Sequence, residues 1–119
     1  MKKTGITSIA ASLAFFAMAQ AQTAEAKQLT QDEVVKVMVG KPITTRTFGV
    51  RVNLRFESSG VVTAKSIIGN YKGRWRRGKG DAICTTFKSG PAAGTQCNTY
   101  RALGGNRYRT SSGTTFSVN

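Results

Sequence analysis

Apolar and polar residues alternate without a break from Val50 to Glu57. Val50, Val52, Leu54 and Phe56 fall on one side, and Arg51, Asn53, Arg55 and Glu57 on the other. A period of two marks a strand with one dry and one wet face. Ser58-Ser59-Gly60 then turns the chain, and Val61 to Ile68 returns. A hairpin folded about Ser59 sets Phe56 opposite Val62 and Leu54 opposite Ala64. Tyr71, Gly73 and Trp75 next alternate with Lys72, Arg74 and Arg76, and Gly78-Lys79-Gly80-Asp81 turns again. Ile83, Thr85 and Phe87 form a further inner set, with Cys84 and Thr86 facing out. Gly90, Pro91 and Gly94 mark a loop before the run Thr95–Leu103. Gly104-Gly105-Asn106 and Ser111-Ser112-Gly113 bound the last two runs, Arg107–Thr110 and Thr114–Val118. Turn signals every 8–15 residues separate seven or eight short strands. The expected fold is mainly β: a small antiparallel meander, closed into a barrel or strongly curled.

Upstream the period is helical. Thr30 followed three residues later by Glu33 has capping-box spacing, and Asp32 and Glu33 put negative charge at the positive end of the helix dipole. Val34, Val35, Met38 and Val39 give an apolar side, and Gly40 with Pro42 ends the helix. One short N-terminal helix is therefore expected to pack on the sheet, being too short to persist alone. The inner set would be Val50, Val52, Leu54, Phe56, Val62, Ala64, Ile68, Trp75, Ile83, Phe87, Tyr100, Tyr108 and Phe116. For a chain of this size, that set is expected to fill the middle as a dry core rather than line a pocket. Trp75 is expected in this core because it is in phase with Tyr71.

The first residues follow a different logic. Met1-Lys2-Lys3 is basic, Ile6 to Ala19 is apolar apart from a few hydroxyls, and Ala-x-Ala signals follow. Basic start, greasy centre and small-residue exit make a secretory signal peptide over residues 1–21, with cleavage as late as Ala26 as the alternative. Residues 22–28 are expected to form a flexible lead, and 29–119 a single β-rich domain. The protein is therefore expected outside the cytoplasm, periplasmic or secreted. In that setting Cys84 and Cys97 form an even pair and are expected to be disulfide-bonded. A hairpin centred between Gly90 and Pro91 sets them opposite each other, so spacing and topology agree.

Composition narrows the chemistry. The chain of 119 residues has no histidine, which removes His-dependent triads and most zinc and haem sites. There is no Walker loop and no Gly-x-Ser-x-Gly elbow. Of the five acids, Asp32 and Glu33 belong to the helix start and Glu25 to the leader or lead. Glu57 and Asp81 each sit beside a turn, where turn chemistry accounts for them more simply than a catalytic carboxylate pair does. No catalytic residue, metal or cofactor is expected, and the protein is expected to be non-enzymatic.

Charge is the dominant signal. Lys plus Arg is 18 against 5 for Asp plus Glu, a formal charge of +13. Such a surface attracts polyanions. The densest segment is Lys72-Gly73-Arg74-Trp75-Arg76-Arg77-Gly78-Lys79. With Arg51 and Arg55 from the earlier strand, the candidate binding surface is Arg51, Arg55, Lys72, Arg74, Arg76, Arg77 and Lys79. Arginine there would fork onto phosphate, sulfate or carboxylate. The competing reading is a solvated basic exterior, because Lys65, Arg101, Arg107 and Arg109 also fall outward.

Leu29-Thr30, Gly73-Arg74-Trp75, Cys84, Cys97, Tyr108 and Gly113-Thr114-Thr115-Phe116 together give the chain a recognisable outline. It resembles a family of small exported bacterial proteins, mainly alphaproteobacterial, that carry a domain of unknown function. The resemblance implies a short helix followed by a curled β-sheet and assigns no activity. The expected function is a basic binding module that engages an anionic polymer or membrane surface of the envelope or a host. The alternative is a secreted effector or hydrolase inhibitor acting on a protein target. Export argues against nucleic acid as the natural partner, although such a surface would bind it in vitro.

Overall fold

The structure is a computed structural model that describes residues 27–119. The expected leader, with its expected cleavage sites, lies outside the described residues. Helix α1 spans Gln31–Met38 and starts as its sequence requires. The Glu33 amide donates to Thr30 Oγ1 (3.2 Å), and the Thr30 amide donates to Glu33 Oε1 (2.8 Å). That backbone hydrogen bond from Thr30 holds the Glu33 carboxyl below its ordinary pKa. Val34 and Met38 face inward and are buried. Gly40 takes a φ of 81°, which a residue with a Cβ adopts only with strain, and its amide donates to Phe56 O (2.7 Å).

Ten strands follow the chain: β1 (Lys27–Gln28), β2 (Ile43–Thr47), β3 (Val50–Phe56), β4 (Val61–Ser66), β5 (Gly69–Arg77), β6 (Ile83–Phe87), β7 (Gly94–Asn98), β8 (Tyr100–Gly104), β9 (Arg107–Thr110) and β10 (Thr115–Val118). They form one antiparallel sheet in the order β1-β8-β9-β10-β2-β3-β4-β5-β6-β7, curled into a half-barrel. The register is that of the alternating pattern: Phe56 faces Val62, Leu54 faces Ala64, and Cys84 faces Cys97. The two cysteines are joined as a disulfide. Cys84 points out of the curl as expected, yet it is buried. The Gly78 turn lies over it so closely that a Cβ there would sit 2.7 Å from its sulfur.

Several elements differ from expectation. Ile43–Thr47 is a strand, with Thr45 buried and its hydroxyl donating to Thr115 O (3.0 Å). Lys27 and Gln28, in the expected lead, pair with Ala102 and Arg101 of β8. The run Thr95–Leu103 divides at Thr99. Its first half pairs with β6 and its second half with β9, so one extended run serves two distant parts of the sheet. This corner is tied down from outside. Asn98 Oδ1 accepts from Ser111 Oγ (3.0 Å) and the Ser112 amide (3.1 Å), and the Ser111 amide donates to Thr99 O (2.9 Å).

The core gathers at one end of the curl. Val34 and Met38 of α1 meet Ile43, Phe56, Val62, Ile83, Phe87, Tyr100 and Phe116 there. Trp75 packs edge-on against Phe56 with ring centroids 6.2 Å apart, and its Nε1 donates to Glu57 O (2.7 Å). The expected dry filling stops short of the other end. An open cavity of about 180 Å³ remains between the walls, floored by core residues that include Met38, Ile43 and Phe56. Ile68, expected inside, stands in the β4–β5 turn and is 51 % exposed. The inward positions toward that end carry Thr47, Ser66, Thr85 and Thr114, which are too small to meet across the curl.

Two outcomes follow. Gly73 lies inward between Val62 and Phe87, and a Cβ there would press on Thr86 O and come within 2.9 Å of the Phe87 ring. Gly73→Ala should therefore lower the urea unfolding free energy by about 1–3 kcal/mol, the usual cost of overpacking. β7 is an edge strand whose residues are almost all exposed, held by its ladder to β6 and by the disulfide. Reduction should speed amide exchange over residues 94–98 while β3–β5 stay protected, and lower stability by about 3 kcal/mol.

Candidate anion-binding face

Strand parity sorts the cations. On β3, Val52, Leu54 and Phe56 face the core, so Arg51 and Arg55 face out. On β5, Tyr71, Gly73 and Trp75 face in, so Lys72, Arg74 and Arg76 face out. Strand β4 lies between β3 and β5, and the rungs across it are Arg55–Thr63–Lys72 and Asn53–Lys65–Asn70. Arg74 stands beside Val61, and Arg76 stands beside Cys84. Five of the expected residues, Arg51, Arg55, Lys72, Arg74 and Arg76, thus share one convex surface.

Arg77 and Lys79 are placed elsewhere. Arg77 is opposite the buried Ile83, on the inward parity. Its Nη1 reaches α1, donating to Asp32 Oδ1 (2.6 Å) and Gln31 Oε1 (3.2 Å). Lys79 belongs to the β5–β6 turn beneath the helix. The same turn is fastened to α1 by the Gln31 side-chain amide, which donates to Gly78 O (3.0 Å) and Ala82 O (2.8 Å). Asp81 Oδ1 accepts from the Gln31 amide (3.2 Å). Asp81 is thus engaged by the helix start.

Two further cations join the face. Lys65 points outward from β4, and Arg46 points outward from β2, directly opposite Arg51. Arg46 becomes visible only once Ile43–Thr47 is known to be a strand. On the far side of β10, Arg101 faces Arg109, with Arg107 one outward step away. Like charges directly opposite each other destabilise a sheet, and this one carries two such arginine pairs, Arg46–Arg51 and Arg101–Arg109. No strand among the described residues contains an Asp or Glu; Asp32, Glu33, Glu57 and Asp81 all lie in the helix or turns. Two arginines are steadied by the backbone: Arg46 Nη1 donates to Gly49 O and Arg55 Nη1 to Gly40 O, each at 3.2 Å. Each guanidinium keeps further N–H groups for a ligand.

Among the described residues, no group of three or more His, Cys, Asp or Glu is placed to hold a metal ion. No helix there is long and apolar enough to cross a membrane. Comparison with protein-family models, with characterised proteins and with solved structures gives no match.

Tyr100 is buried against Phe116, with ring centroids 5.8 Å apart, and burial pushes its phenol up from 10 to about 12. The fold therefore favours the neutral phenol. Its contribution is complete below pH 10 and is lost as pH rises from there through about 12. The urea midpoint should fall across that window, and fall less in Tyr100→Phe. An equal fall in both proteins would remove Tyr100 as the cause.

Proposed function

We propose that the protein is a non-enzymatic binding module, exported from the cytoplasm, whose convex face engages an anionic component of the cell envelope or of a host. One observation carries this reading. Seven cations, Arg46, Arg51, Arg55, Lys65, Lys72, Arg74 and Arg76, point outward from four adjacent strands that contain no carboxylate. A β-surface of this kind presents guanidinium and ammonium groups at strand spacing, about 4.8 Å between neighbouring strands. An extended polyanion lying across the strands would meet several at once, each contact releasing counterions. The Arg46–Arg51 pair costs the sheet some stability, which fits a surface whose charge serves binding. The disulfide fits an oxidising compartment, in keeping with the expected leader.

The test separates the face from net charge. Arg74→Glu with Arg76→Glu should weaken binding to long-chain polyphosphate by roughly tenfold or more, and raising salt from about 50 to about 300 mM should do the same to the wild type. Lys36→Glu with Lys79→Glu changes the total charge equally but lies on α1 and the β5–β6 turn, off the face, and should change binding little. Equal losses in the two double variants would mean that total charge, not the convex face, is responsible. A single protein partner retained from envelope fractions at both salt concentrations would instead support an effector or inhibitor acting by a specific protein contact.

A further inference from the structure

The concave side has the opposite character. No Lys, Arg, Asp or Glu lines the cavity. Its inner wall is hydrocarbon and aromatic, including Val52, Leu54, Val62, Phe87, Tyr100 and Phe116. Toward the open end the lining changes to neutral hydrogen-bonding groups: Thr47, Ser66, Ser89, Gln96, Ser112 and Thr114. Helix α1 and the core close the other end, and Met38, Ile43 and Phe56 form the floor of the cavity. A dry cavity of about 150 Å³ accepts benzene. The 180 Å³ here has room for about six to eight carbons, and the open end lets a longer chain emerge.

The mouth is also greasy on its outside. The β2–β3 and β4–β5 turns lie at the same end of adjacent hairpins, and Thr47, Ser66 and Ile68 from these turns line the cavity. Phe48 is 81 % exposed and Ile67 94 % exposed at their tips. Phe48 is costly there twice over. It exposes a phenyl ring, and it holds a φ of 53° followed by 76° at Gly49, a pair of left-handed residues for which Asn-Gly is the favoured sequence. A residue that opposes both solvation and turn preference needs a contact that the isolated protein does not supply.

We propose that the cavity receives a single alkyl or acyl chain, with Phe48, Ile67 and Ile68 forming an apolar collar and the polar end of the ligand resting among the mouth hydroxyls. The inference does not rest on the basic face, which lies on the opposite side of the sheet. The probe is 1-decanol, added to the purified protein with its disulfide intact. Nuclear Overhauser contacts should run from the decanol chain to Val52, Leu54 and Tyr71, the half-buried lining, with saturable binding. Contacts confined to outward residues, or no saturable binding, would overturn the proposal. Ala64 lines the cavity, and Ala64→Phe should cut decanol affinity at least tenfold by filling it; a folded Ala64→Phe protein that binds as well as wild type would also overturn it. If that variant does not fold, the wild-type contacts decide. Phe48→Asn should raise the unfolding midpoint and lower decanol affinity several-fold while leaving polyphosphate binding unchanged, so failure here is distinguishable from failure of the basic face. A second arm presents vesicles of neutral phosphatidylcholine. Binding that depends on Phe48 would identify a membrane lipid as the source of the chain, and decanol binding without vesicle binding would identify a free amphiphile.

Discussion

A ten-stranded sheet must bury one of its faces, and the described residues offer a single helix of eight residues to cover it. Most of the architecture follows from that shortage. The sheet curls so that its own inward residues meet, and α1 is spent on one end, where Val34 and Met38 complete the core. The helix is fastened through Gln31, whose amide side chain satisfies two carbonyls of the β5–β6 turn, while Asp81 and Arg77 engage its first turn. Among the described residues, nothing of comparable size covers the other end. The cavity there is the remainder of a sheet too wide for its helix.

The same constraint explains the corner at Thr99. A meander of ten strands ends with free edges, and free edges invite unwanted pairing. Here β7, at one edge, runs straight into β8, the second strand from the other, so the curl is drawn together by the backbone itself. Asn98 and the 111–112 turn hold that bend, and the disulfide ties β7 to β6 on the convex side. The outer face is thereby stiffened next to Arg76, which stands beside Cys84. Fixed cations lose less freedom on binding than mobile ones do, so a rigid scaffold strengthens a charged face without adding contacts.

How much of this was legible in the sequence depended on side-chain volume as much as on pattern. The Val50–Phe56 alternation with the turn at Ser59 was enough to predict that hairpin's register, and the turn at Gly90-Pro91 together with the cysteine pair predicted the β6–β7 pairing. The strand Ile43–Thr47 was missed because its inward positions beyond Ile43 are threonines, which carry no hydropathic signal; Arg46 was missed with it. The division at Thr99 leaves no trace in a period-two pattern, because periodicity reports which face a residue takes and not which strand it pairs with. Arg77 could have been set apart by counting on from Trp75, since both share the inward parity; the density of the basic cluster concealed it. The cavity escaped notice because the inner residues were counted by hydrophobicity, while Thr47, Ser66 and Thr85 fix how much space is left.

The central claim is that the curl segregates charge to its convex side and hydrocarbon to its concave side, and that the convex side does the binding of anions. The most direct measurement is a chemical-shift map of the isotope-labelled protein titrated with polyphosphate. The account predicts that the shifted amides cluster on β2–β5 around Arg46, Arg51, Arg55, Lys65, Lys72, Arg74 and Arg76, and that α1 and the cavity lining stay still. Shifts spread evenly over every lysine and arginine, or centred on Arg77, Lys79 and the helix, would contradict it.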